Sequence, residues 1–303
     1  MIPNTATAPG STQRQILRKS RAPAPVPGFA GPGHTVVEIV TSQRPEETDP
    51  FVLLMDDRLD FKPGQPVGDE HPHGGLETVT LVLEGSLEDP AEGSLEEGDL
   101  AWMTAGKGVI HNENVRATGR ARILQLWIAL PRALRQIEPA VELVPRRSLP
   151  IACEAGAEVR LYSGRSAGLT SPTRNRVPTT IADTHLQPGA QFGQTLPGGY
   201  RGLLYVISGA LSAGGMPLEA GEIGWIDSTD ANETELTLKA GDQAARVMLY
   251  AGQPLREPIV QRGPFVAGSA DEIAAFYRAY RMGLFKRMSE VVPAQGAAPA
   301  SAA

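Results

Sequence analysis

The sequence predicts an all-β protein, a duplicated β-barrel followed by one C-terminal helix. Three observations predict it: short apolar runs closed by turn residues, two motifs that occur in both halves, and a single capped amphipathic run near the end. Glycine (33) and proline (26) are abundant in the 303 residues, which suits many strands joined by turns better than a helical bundle.

The expected strands run in order. Thr35–Val40 and Phe51–Met55 are β-rich and closed by charged or proline-containing segments. Glu77–Leu83 alternates, with Val79, Leu81 and Leu83 on one face. It shares parity with His71 and His73 unless Gly74-Gly75 breaks the strand. Leu100–Met103 follows, then Ile123–Leu130, nearly all apolar and so expected to be buried on both faces. After Pro145 the pattern restarts with Thr180–Ala182, Leu203–Ile207, Gly224–Ile226, Leu236–Leu238 and Arg246–Tyr250.

The halves echo each other. Leu81-Val82-Leu83-Glu84-Gly85-Ser86-Leu87 matches Tyr205-Val206-Ile207-Ser208-Gly209-Ala210-Leu211, and Leu95-Glu96-Glu97-Gly98-Asp99-Leu100-Ala101-Trp102 matches Leu218-Glu219-Ala220-Gly221-Glu222-Ile223-Gly224-Trp225. Two such units imply two similar barrels. Near the end, Ser269 and Glu272 form a capping box. Ile273, Phe276, Tyr277 and Tyr280 then make the apolar stripe of a helix that packs to close the barrels.

The expected domains are a flexible or partly extended arm (1–33), a metal-binding N-terminal barrel (34–145), a degenerate C-terminal barrel with its closing helix (146–288), and a disordered tail (289–303). A net charge of −6 argues against a broad grip on nucleic acid or an anionic membrane, and no DNA-binding motif is present. The single Cys153 excludes an intramolecular disulfide and multi-cysteine zinc sites, and reads as an ordinary thiol. With neither a signal-like start nor an apolar run long enough to span a bilayer, a cytoplasmic protein is expected.

Three of the five histidines fall in two short stretches, His71-Pro72-His73 and His111-Asn112-Glu113. Residues two apart on a strand face the same way, so two adjacent strands of this kind can aim their ligand atoms at one point. Three imidazoles with one carboxylate suit a mononuclear transition metal rather than calcium or magnesium. Iron, nickel, copper, manganese or zinc would fit. A lone His-x-His sits as readily on a polar face; the second pair makes the metal reading strong. Glu113, two residues from His111, is the preferred carboxylate. Glu77 is the alternative, or else an acceptor that orients a histidine ring. The corresponding stretch of the second half, Gly198-Gly199-Tyr200-Arg201, has no histidine, and the isolated His185 and His34 read as surface or structural residues.

The segments His71-Pro72-His73-Gly74-Gly75-Leu76-Glu77-Thr78-Val79-Thr80, Gly98–Glu113 and Gly252–Val266 resemble the pirin family of the cupin superfamily, over about residues 35–288. The resemblance implies two tandem cupin (jelly-roll-like) barrels, with Fe(II) or a similar divalent metal in the first, held by His71, His73, His111 and Glu113. It further implies one of two functions. The first is a quercetin 2,3-dioxygenase-like oxidoreductase that opens a flavonol with O₂, releasing a depside and carbon monoxide. There Glu113 would be the catalytic base that takes the flavonol hydroxyl proton. The second is a non-catalytic regulator acting through a protein partner. Two departures stand out: Gly74 occupies a position where pirins commonly carry arginine, and the segment between Glu84 and Gly98 is shorter than usual and lacks the acidic-His-x-Asp stretch often found there.

Overall fold

The computed structural model describes residues 12–62, 66–67, 70–89, 93–112, 115–117 and 119–291. It is an all-β protein of two cupin barrels with a C-terminal helix. Among the described residues, no helix is long and apolar enough to cross a membrane.

The first barrel is built on a seven-stranded sheet, in the order Ala140–Val144, Leu100–Thr104, Leu76–Glu84, Arg120–Ala129, Phe51–Asp60, His34–Val40, Val26–Pro27. The second has a seven-stranded sheet in the order Arg18–Arg21, Glu222–Ile226, Arg201–Ser208, Ala245–Gly252, Thr179–Leu186, Ala157–Ser163, Ile151–Glu154. Position for position, strands that carry the echoed motifs correspond. Leu76–Glu84 matches Arg201–Ser208, and Leu100–Thr104 matches Glu222–Ile226. One end differs in origin: the place taken by Ala140–Val144 in the first sheet is filled in the second by Arg18–Arg21, from the start of the chain.

Of the arm expected over residues 1–33, the described part, 12–33, contributes three short paired strands, Thr12–Gln13, Arg18–Arg21 and Val26–Pro27, and turns at 29–33. Thr12–Gln13 runs parallel to Glu233–Ala240, and Arg18–Arg21 is antiparallel to Glu222–Ile226. Between them Arg14 is buried and donates to the carbonyls of Tyr200 (2.8 Å), Pro197 and Gly198. Burial lowers its pKa, with Asp227 acting in the opposite sense. A Pro- and Ala-rich stretch reads as a linker because nothing local reveals that a distant strand needs a neighbour.

The chain groups into two compact units, Met1–Pro23 with Glu47–Pro50 and Ser148–Leu255, and Ala24–Glu46 with Phe51–Arg147 and Arg256–Ala303. The closing helix does not follow its expected assignment: residues from Arg256 on belong with the first barrel. Gly74 bridges to Phe265, Val266 N donates to Gly74 O at 3.0 Å, and Lys286–Arg287 pairs parallel to Val109–Ile110.

The helix itself, Ala270–Arg281, begins as the sequence predicts, with Ser269 Oγ accepting from Glu272 N at 3.2 Å. Glu272 reaches back to Gly268 N (3.0 Å) rather than to the cap residue, and also pairs with the buried Arg135 (2.9 Å). That backbone hydrogen bond, helped by Arg135, holds its pKa below the usual range. Ile273 and Phe276 pack in a cluster with Phe265, Ala267 and Phe285, whereas Tyr280 is exposed. The expected disordered tail lies outside the described residues beyond Val291. Met288–Glu290 forms a short 3-10 turn.

Candidate functional site

The histidine pairs fall on neighbouring strands. Glu70–His73 runs antiparallel to Val109–Asn112, with His71 opposite His111 and His73 opposite Val109. Opposed residues share a face, as do residues two apart, so the register alone puts all three imidazoles on one side. Their ring centroids are 4.7 Å (His71–His73), 5.5 Å (His71–His111) and 6.0 Å (His73–His111) apart. His73 is buried, while His71 and His111 are half-buried.

Imidazole nitrogens bind such metals at about 2 Å, which places ring centres about 4.5–6 Å from one another. The three separations fit this spacing, and an all-imidazole set suits the metals expected. Among the described residues, no three or more histidine, cysteine, aspartate or glutamate side chains form a closed metal-holding cluster. The three rings are gathered about one space, and Glu113 lies outside the described residues.

Glu77 has a different environment. Gly74-Gly75 does break the strand, and Leu76–Glu84 continues in the large sheet while His71 and His73 remain in a three-stranded one. Glu77 is fully buried, opposite Thr104, and its Oε1 accepts from Trp102 Nε1 at 2.9 Å and Thr104 Oγ1 at 2.8 Å. This is an anchor across two strands. The break is sterically tight: Gly75 has φ +75°, and a Cβ there would lie 1.9 Å from Val266 O. A Cβ on Gly74 would meet Phe276 at 2.8 Å. Packing against the helix thus accounts for glycine at position 74.

The other histidines are structural. His34 is buried with Nε2 2.8 Å from Asp57 Oδ1. His185 Nε2 lies 3.2 Å from Asp183, which Arg246 also grips. Cys153 is exposed and shares an open surface hollow with Glu158 and His185, in the other unit from the histidine row.

What the sequence reading missed is the lining beside the histidines. On the inward face of the first barrel, Val82 and Ile123 belong to an apolar cluster with Leu59, Leu87 and Leu95. One step along, Thr80 Oγ1 donates to Gln125 Oε1 at 2.6 Å, and beyond it Thr78 faces Trp127. Trp127 meets His73 edge to face, 5.1 Å between ring centroids. The echo aligns Val82 with Val206, so the equivalent pairs in the second barrel are Leu204–Leu249 and Gly202–Ala251. At these positions the second barrel has aliphatic or glycine residues, and Leu204, Leu249 and Ala251 belong to its apolar core. The signal was present in the sequence: comparing the repeats residue by residue exposes Thr80 and Gln125 as polar at core positions. Phe29 marks the outer end of the row, 70% exposed with its ring 6.5 Å from His71.

Two cupin barrels, the first with gathered histidines and the polar pair Thr80–Gln125 where the second has Leu204–Leu249, define a bicupin with a candidate metal centre in its first barrel. Residues 33–128 match the pirin family profile and residues 181–286 the pirin C-terminal cupin domain. The chain is 34% identical to Pirin-1 of Arabidopsis thaliana over 83% of its own length and 88% of the relative's. It is 35% identical to human pirin, covering 76% and 81%. It is also 35% identical to a Pseudomonas aeruginosa protein named "Putative quercetin 2,3-dioxygenase", covering 85% and 94%. Among solved structures, GK1651 from Geobacillus kaustophilus superposes with a TM-score of 0.71 at 34% identity, covering 82% of this chain and 99% of that one. A quercetin 2,3-dioxygenase from Acinetobacter baumannii shares the fold, with a TM-score of 0.77 at 24% identity over 90% and 99%. This chain belongs to the pirin family.

Proposed function

We propose that the protein is a metal-dependent dioxygenase of the quercetin 2,3-dioxygenase type, cleaving a flavonol with O₂ in the first barrel. The carrying observation is the inward row of His71, His73 and His111, beside the polar pair Thr80–Gln125 at positions that the second barrel fills with Leu204 and Leu249. Three imidazoles gathered on one face of a barrel suit ligand binding better than packing. The relative named for quercetin dioxygenase activity, similar over most of both chains, supports the same reading.

His71, His73, His111 and Glu113 would hold the metal, Fe(II) first, with nickel, copper, manganese or zinc as alternatives. A solved pirin of lower identity, YhhW from Escherichia coli, is a nickel(II) complex. Such a metal supplies Lewis-acid polarisation of a substrate oxygen and positions for substrate and O₂. The protein's own residues do the rest. Gly74-Gly75 turns the ligand strand out of the large sheet, Glu77 locks the start of the next strand, and Glu113 takes the proton from the flavonol hydroxyl. The apolar cluster at the far end of the barrel keeps bulk water from that side.

Oxygen uptake with quercetin, measured on protein loaded with each metal in turn, tests the reading. Turnover that vanishes in His71→Ala and on metal removal supports it. In Glu113→Gln, turnover should fall far more than metal content; equal losses would leave Glu113 a ligand only. No uptake with any loaded metal would overturn the enzyme and favour the regulator acting through a protein partner.

A further inference from the structure

The protein has three tryptophans. Trp102 Nε1 donates to Glu77 and Trp225 Nε1 to Ser20 Oγ, each at 2.9 Å. Trp127 Nε1 is closed off from solvent and has no acceptor among the described residues. Buried donors are paired in nearly all native structures, and an exception points to a water or ligand that completes it. The edge-to-face contact with His73 offers at most a weak N–H···π interaction.

The position of this donor matters as much as its lack of an acceptor. Trp127 lies on the inward face opposite Thr78, against the one fully buried ring of the histidine row. The equivalent position in the aliphatic second barrel is Ala251. Neighbouring inward side chains Leu53, Met55, Thr80 and Gln125 are only half-buried. Inward residues with residual exposure line an open space rather than a packed core. At the other end of the row stands the exposed ring of Phe29.

We propose that Trp127 is a positioning residue whose indole N–H donates a hydrogen bond to an oxygen of an aromatic ligand in the first barrel, with the Phe29 ring covering that ligand from the mouth. This rests on the flavonol reading above and assigns it residues outside the expected ligand set. Trp127 fixes the ligand's orientation by one directional bond, while Phe29 contributes contact area without direction.

The test uses the full chain, zinc-loaded and ¹⁵N-labelled, titrated with quercetin. Three indole N–H signals are expected, and Trp127→Phe identifies its own by deletion. On titration the Trp127 signal should move downfield while those of Trp102 and Trp225 stay. Trp127→Phe should raise the Kd for quercetin about tenfold, as loss of one good hydrogen bond does, with metal content and Tm unchanged. Phe29→Ala should weaken binding without moving the Trp127 signal of the free protein. Quercetin binding with an unmoved Trp127 signal, or with equal Kd in Trp127→Phe, would overturn the assignment and leave the dioxygenase reading standing. Failure of the wild-type protein to bind quercetin at all would overturn both.

Discussion

Replacing Glu77 with Gln separates the two roles a carboxylate beside this site can play. In the structure, Glu77 Oε1 receives both Trp102 Nε1 (2.9 Å) and Thr104 Oγ1 (2.8 Å) in a fully buried setting. Hydrogen bonds to a charged acceptor contribute roughly 1.5–3 kcal/mol each, and neutral ones roughly 0.5–1.5. The amide keeps one oxygen in place, so each bond weakens by about 1–1.5 kcal/mol. The lower cost of burying a neutral group returns part of that. A net loss of about 1–3 kcal/mol follows, a fall of about 2–10 °C in Tm at this size. Metal content per chain should stay close to wild type, since the anchor acts on Trp102 and Thr104. Calorimetry and elemental analysis on the same preparation provide the two readouts. Full loss of metal with an unchanged Tm would refute the anchoring role and make Glu77 the ligand carboxylate.

Three further outcomes follow from the geometry. Gly75→Ala, which forces a left-handed alanine and sets a Cβ 1.9 Å from Val266 O, should cost about 3 kcal/mol or more and lower metal content with it. Gly31→Ala, at φ +87° with open space around it, should cost only about 1 kcal/mol in the same denaturant titration. Burial raises the pKa of Asp183, but hydrogen bonds from His185 and Arg246 and the charge of both more than offset this, leaving it below the usual value. Its stabilisation is therefore complete above about pH 4 and fades as pH drops through the folded value. The stability gap between wild type and Asp183→Asn should shrink below pH 4, and a gap that widened there would contradict the pairing. Ser269→Ala removes the acceptor for Glu272 N and should lower stability by about 1 kcal/mol in chemical denaturation.

The strands were legible because each buries its own alternating face. Thr35–Val40, Leu203–Ile207 and Arg246–Tyr250 all lie within observed strands. The histidine row was legible for the same reason, since a spacing of two on a strand is a local property. Residues whose role depends on a distant partner were not. Nothing around Arg14 announces the carbonyls near Gly198 that it satisfies, nor does the glycine pair at 74–75 announce Phe276 and Val266 pressing on it. Glu77 stands four residues from His73 in sequence, and only the fold shows that the turn at Gly75 brings its Oε1 to Trp102 and Thr104. Trp127 read as one more apolar strand residue because an indole's unmet donor shows only once its neighbours are known.

The pairing of Lys286–Arg287 with Val109–Ile110 has a consequence for biosynthesis. The strand that bears His111 gains its outer neighbour only after residues 286–287, about 175 positions later, have left the ribosome. Until then its edge stands open to solvent and to other nascent chains. A stop codon shortly after Leu255 would then damage the histidine-bearing barrel while sparing the one nearest the break in sequence.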